Sequence, residues 1–200
     1  MGRDFGFLVV RLARRAVETG FDPHPAPPAE LIASCVDEED YGALTEPGAV
    51  FVTVKDRDGK LRGCIGSLWP RRPLANDVVH NARSAARDPR LPPVEAGELG
   101  DLRISVSVLS PLKPSGAESF GELVPMLRPG VDGVLLSSDG RRSTFLPSVW
   151  GNLPDPAHFV RALLEKGGWE RPEGMVPERW PWPEGLVAEL YTAESFAEPA

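Results

Sequence analysis

An α+β fold with an antiparallel sheet and flanking helices is the class this 200-residue sequence predicts, and three observations carry it. Asp-Gly dipeptides at 58–59 and 139–140 stand between short runs that read as strands, the strongest short-range signal of a hairpin. A helical pattern follows each hairpin, through Leu74, Val78, Ala82, Ala85 and Ala86 in one case and Pro156 to Lys166 in the other. A strand follows each helix, so hairpin, helix and strand occur twice in the same order.

From the start, Phe5, Leu8, Val9, Leu12, Ala16 and Val17 recur at helical spacing, while Arg11, Arg14 and Arg15 break any export-signal pattern. Gly20 is placed to end this helix as its left-handed C′ residue. Asp22 to Pro28, with four prolines, predicts an extended wrap rather than a domain linker, and a short helix over about 29–37 follows it. The acidic run Asp37-Glu38-Glu39-Asp40 reads as a solvated edge. Pro47 to Lys55 is a strand by its β-branched and aromatic content, and Asp58-Gly59 turns it back into Lys60 to Ile65.

Pro73 fits N1 of a helix that runs to Arg87, where Pro89 ends it. In Leu102 to Leu109, Ile104, Val106 and Val108 alternate with Arg103, Ser105 and Ser107, a half-exposed strand. The second round comprises strands over 131–137 and 142–146, a helix with Asp155 as N-cap and Gly167 as C′ residue, and one last strand over 186–196. Placing Gly59 on Gly140, a shift of 81 positions, sets Ser67 on Ser148, Trp69 on Trp150 and Pro73 on Pro154 without a gap. This predicts a single domain over 1–200, built as two interlocked lobes from pseudo-repeats of about 49–109 and 131–196, with helices of residues 3–37 packed on them. The same shift sets Cys64 on Phe145 and Arg62 on Ser143, so any thiol chemistry belongs to the first half alone.

Composition narrows the function classes. Lys and Arg total 22 against 29 Asp and Glu, a net charge of −7, which removes the overall electrostatic drive for non-specific nucleic-acid binding. No apolar run approaches the ~20 residues of a membrane span, and two cysteines suit a reducing compartment, so a cytoplasmic protein without membrane association is expected.

Chemistry concentrates at Leu61-Arg62-Gly63-Cys64-Ile65-Gly66-Ser67-Leu68. Strand alternation puts Arg62, Cys64 and Gly66 on one face and Leu61, Gly63 and Ile65 on the core face. A two-residue Asp58-Gly59 loop sets Lys55 opposite Arg62 and Thr53 opposite Cys64, whereas a one-residue bulge would part them. A thiol flanked by cations is a candidate nucleophile; packing is the alternative, since free cysteine is among the most buried residue types. Of the three histidines, His24, His80 and His158, His80 lies on the next helix, on a polar face with Asn76, Arg83 and Arg87 that reads as solvated surface. No Cys/His ligand spacing, GxGxxG or P-loop occurs, so neither a metal nor a cofactor is expected. Asp88-Pro89-Arg90 reads as a helix stop with an internal Asp–Arg contact, or alternatively as a rim arginine near Cys64. Trp69, Trp150, Trp169, Trp180 and Trp182 read as packing, with Trp180-Pro181-Trp182-Pro183 as a possible groove edge for a partner.

The strings Pro47-Gly48-Ala49 through Phe51-Val52-Thr53, Leu61 to Leu68, Ala85-Ala86 with Asp88-Pro89-Arg90, and Ser105-Val106-Ser107-Val108-Leu109 together resemble the AMMECR domain family, over nearly the whole chain. Leu-Arg-Gly-Cys-Ile-Gly is that family's hallmark. The resemblance implies an α+β fold with two unequal lobes and no settled biochemical activity. It also implies protein A of the AmmeMemoRadiSam system, with Memo-like and radical S-adenosylmethionine proteins as partners of an accessory, partner-binding component. The expected functional surface is Cys64 with Arg62, Gly63, Gly66, Thr53, Lys55, Asp88 and Arg90. A thiol-dependent enzyme using Cys64 is the alternative, and a nucleic-acid-linked regulator a further one. Where the family tends to have Gly-Arg-His-Gly, Leu-Pro-Gln-Val and Lys-Ala-Gly, this chain has Gly130-Val131-Asp132-Gly133, Leu146-Pro147-Ser148-Val149 and Lys166-Gly167-Gly168. Those departures point any shared function to the first hairpin and helix.

Overall fold

The computed structural model describes residues 3–37, 41–169 and 181–199. The chain divides into two compact units, residues 1–109 with 194–200 and residues 110–193. Trp180 and the Glu38-Glu39-Asp40 part of the acidic run lie outside the described residues.

The first unit begins with α1 (Arg3–Thr19), whose Val9, Leu12, Ala13, Ala16 and Val17 are fully buried on one stripe. Then come α2 (Pro28–Cys35), α3 (Tyr41–Thr45), β1 (Pro47–Gly48), β2 (Val50–Lys55), β3 (Leu61–Gly66), β4 (Arg72–Pro73), α4 (Leu74–Ala85) and β5 (Arg103–Leu109). The second unit holds β6 (Lys113–Pro114), α5 (Phe120–Met126), β7 (Gly133–Ser138), β8 (Arg141–Phe145), α6 (Pro156–Lys166) and β9 (Val187–Tyr191); β10 (Ala193–Ala197) rejoins the sheet of the first unit. The main sheets are antiparallel, in the orders β10-β5-β2-β3 and β6-β9-β7-β8, so in each the hairpin takes one edge and the strand after the helix lies beside its first arm.

Alternation sets the layers. Val50, Val52 and Val54 of β2 and Ile104 and Val106 of β5 are buried against the Val78, Val79 and Ala82 stripe of α4, in one core with α1. Each such aliphatic side chain contributes about 1.5–3 kcal/mol on burial. The second core gathers Leu123, Val134, Leu136, Phe159 and Leu163, with Trp150 stacked on Phe159 at 3.8 Å and its indole N–H donated to Asp132 O at 2.7 Å. Trp150 and Trp169 are buried, as packing requires, and half-buried Trp182 donates to Leu186 O.

Several local expectations are corrected. Gly20 receives the end of α1 through bonds to Ala16 O and Val17 O but does not take a left-handed φ. Pro73 is the N-cap of α4 rather than N1. Gly167 keeps φ at −81°, and Gly168, at +77°, is the left-handed residue: Gly168 N–H bonds Glu165 O and Trp169 N–H bonds Leu164 O, a Schellman closure. The strand expected over 186–196 is two, broken at Thr192, whose N–H donates to Ser110 Oγ and whose carbonyl accepts from Ser110 N–H, both at 2.9 Å. No helix among the described residues is long and apolar enough to cross a membrane.

Candidate functional site

The hallmark hairpin is shaped first by Asp56. Its Oδ1 accepts from Asp58 N–H at 3.0 Å and Lys60 N–H at 2.9 Å, while its carbonyl accepts from Gly59 N–H, which places Gly59 at φ +81°. The turn is therefore longer than the two-residue loop expected, and the ladder slips: Thr53 pairs with Cys64 and Val54 with Gly63, but Lys55 pairs with Leu61. Arg62 is the extra residue of a bulge. Lys55 consequently does not oppose Arg62, and Leu61, expected on the core face, is 42% exposed.

Arg62 is held by a carboxylate. Its guanidinium grips both carboxylate oxygens of Glu98, in the 3-10 turn Ala96–Asp101, and Glu98 in turn accepts from Glu95 N–H at 2.7 Å. The Arg62 hydrogen bond, with the Glu95 N–H, lowers the Glu98 carboxyl to about 2.

Gly63 faces α4, and a Cβ there would overlap the carbonyl oxygen of Ala85. That closeness brings the helix stop under the strand. Asp88, whose side chain is completely buried, accepts from Cys64 N–H at 3.0 Å. Arg90 clamps the same carboxylate through Nε at 2.9 Å and Nη2 at 2.6 Å, and donates from Nη2 to Cys64 O at 2.7 Å. Asp88-Pro89-Arg90 thus combines both readings, an internal ion pair and an arginine at the Cys64 backbone. The Arg90 guanidinium, followed by the Cys64 and Arg90 backbone N–H groups, holds the Asp88 carboxyl well below the usual carboxylate range. The Arg90 side chain is 67% exposed.

Cys64 itself projects to the other face of the sheet, half-buried, and its Sγ accepts from Thr53 Oγ1 at 3.4 Å. Thr53 pairs across the sheet with Ser105 on its other side. Gly66 lies beneath the ring of Phe51, its cross-strand partner. His80 lines the helix side of the sheet with Ile65, so strand alternation directs it away from the thiol. Of the expected surface, then, Cys64, Gly63, Thr53, Asp88 and Arg90 come together, while Lys55, Arg62 and Gly66 are otherwise engaged or displaced.

Behind the hairpin lies a buried polar cluster that sequence reasoning missed. Asp77 Oδ2 accepts from Val50 N–H and Asn81 Nδ2, both at 3.0 Å, and Asp77 Oδ1 accepts from Ser67 Oγ at 2.9 Å. Arg72 Nε completes it, 3.3 Å from Asp77 Oδ1. The available signal was a pair of polar residues four apart on the apolar stripe of α4. Among the described residues no group of three or more His, Cys, Asp or Glu is placed to hold a metal ion. In the second unit Asp132, at the position where the family tends to have histidine, is buried and clamped by Arg128 at 2.6 Å.

The AMMECR1 family model matches residues 10–196. The chain belongs to the AMMECR1 family. A relative from Thermococcus kodakarensis is 35% identical over 207 residues, covering 98% of this chain and 91% of its own length. One from Methanothermobacter thermautotrophicus is 36% identical over 155 residues, 76% of this chain and 77% of its own. The crystal structure of an uncharacterized protein from Pyrococcus horikoshii is similar with a TM-score of 0.82 at 29% identity, covering 99% of this chain and 93% of that one. The AMMECR1 assignment and the α+β antiparallel fold thus agree with the resemblance carried by the hallmark strings.

Proposed function

We propose that this AMMECR1-family protein is an accessory, partner-binding component of a system with a Memo-like protein and a radical S-adenosylmethionine protein, and that it contacts them through the β2–β3 hairpin. One observation carries the reading: the hallmark strand is clamped, by an ion pair at Arg62 and by hydrogen bonds to the Cys64 backbone. Arg62 holds Glu98, Asp88 holds Cys64 N–H, and Arg90 holds Asp88 and Cys64 O. Such a clamp makes a rigid surface rather than an activated nucleophile, and the bulge turns Leu61 outward on it, opposite exposed Lys55. The test is to mix the purified proteins anaerobically, with cofactors loaded, and measure complex mass by light scattering. A complex that forms with the native chain and is lost with Leu61→Glu is the expected result; absence of any complex overturns the proposal.

A thiol enzyme is favoured by one contact, the Thr53 hydroxyl directed at Cys64 Sγ. Alkylation of Cys64 across a pH series decides it, and a rate profile like that of an ordinary free thiol removes this reading.

A further inference from the structure

On the α4 side of the first unit a groove of about 490 Å³ is lined on one wall by His80, Arg83, Ser84 and Arg87. Its other lining includes Pro28, Ile65 and Pro89, and among the described residues no carboxylate borders it. This is a concentration of positive charge on a chain whose net charge is −7.

The two guanidinium groups are incompletely used. Arg83 donates through Nη2 to Ala26 O at 2.7 Å, and Arg87 through Nη2 to Gly20 O at 2.6 Å, with its guanidinium 5.2 Å from the centre of the Phe21 ring. Both acceptors are neutral carbonyls, and among the described residues neither arginine has a carboxylate partner. The Nε of Arg83 is buried without any hydrogen-bond partner, a costly state for a charged donor. The side chains of His80 and Ser84 likewise make no hydrogen bond or ion pair among the described residues. Four donor-bearing side chains therefore converge on one cleft, with their counter-charge missing.

We propose that this groove binds a small phosphorylated ligand. A phosphate monoester brings three terminal oxygens and nearly two negative charges, which matches the remaining donors of two guanidinium groups, a hydroxyl and an imidazole N–H better than a carboxylate with two oxygens does. Pro28, Ile65 and Pro89 give an apolar wall for the ligand's organic body. The volume lies within the range of small-molecule sites, about 300–1,000 Å³.

The probes are phenyl phosphate, inorganic phosphate and phenol, each titrated into the full chain while the histidine ring resonances are followed by NMR, with His80 assigned by its loss in His80→Gln. Phenyl phosphate should shift the His80 resonances saturably, inorganic phosphate more weakly, and phenol not at all. Ser84→Glu should weaken phenyl phosphate at least about tenfold, while the His24 and His158 resonances stay in place as the check on folding. Undiminished binding in Ser84→Glu, equal binding of phenol, or no saturation at millimolar concentrations each overturns the proposal. So does a marked preference for single-stranded RNA with a steep salt dependence, which would assign the charge to a nucleic acid instead.

Discussion

A methyl group added at Gly63 has nowhere to go, because the atom it meets is the backbone oxygen of Ala85 rather than a flexible side chain. Gly63→Ala should therefore lower stability by about 1–3 kcal/mol, read as a fall in the urea midpoint. Asp88 and Glu98 add a pH signature. Both carboxyls titrate lower in the folded chain than in the unfolded one, so their stabilisation is complete above the ordinary carboxylate values of about 4 and is lost as pH falls toward 2. Asp88→Asn should be less stable at pH 7 by about 1–3 kcal/mol and show a shallower acid limb in a pH series of denaturation curves. Much of this cluster was legible residue by residue: Gly63, Cys64, Asp88 and Arg90 stand out as types in context. Glu98 was not, because the Arg62 that claims it lies 36 positions away and only the folded chain joins them. Asp77 and Asn81 escaped for a related reason, since a polar pair on an apolar stripe reads as an interruption until Val50 and Ser67 arrive to satisfy it.

At the level of elements, the same dipeptide makes two different turns. Asp139 and Gly140 both have positive φ, at 48° and 76°, and Ser138 pairs with Arg141, so the second hairpin is the tight two-residue loop that Asp-Gly predicts. The first is opened by the side chain of Asp56, two residues earlier. Asp56→Ala should cost about 1–2 kcal/mol, since it releases two backbone N–H groups, whereas Asp139→Asn should change stability by less than about 0.5 kcal/mol because type I′ turns accept both residues. Equilibrium unfolding of the two variants side by side checks the contrast. The dipeptides thus located both turns but not the bulge, and a one-residue bulge is enough to bring Leu61 outward. Helix α5 was within reach of the sequence: Ser119 caps Glu122 N–H at 3.2 Å, from a Ser-x-x-Glu pattern that announces a helix start.

Across the whole molecule, the second unit is an insertion into the first. The chain leaves the first unit after Leu109 and returns at Glu194, and the two ends of the insert are tied by the paired Ser110–Thr192 bonds. Among the described residues the two hydrophobic cores share none. Replacing residues 110–193 with a short Gly-Ser linker should accordingly leave a first unit that unfolds cooperatively, with β10 still paired to β5, as circular dichroism and amide exchange would record. Sequence order exposed the recurrence of hairpin, helix and strand but not this nesting, because nothing local marks Thr192 as the place where one strand becomes two.

Strand β10 belongs with the helices made first, and Arg14 of α1 fastens it by an ion pair to Glu198 at 2.5 Å. The sheet that carries the hallmark hairpin therefore takes its β10 strand only from chain that follows the whole insert. A chain truncated before residue 194 would hold every residue of the second unit and a first unit lacking β10. The missing partner of β5 would then report on the hallmark unit and not on the insert.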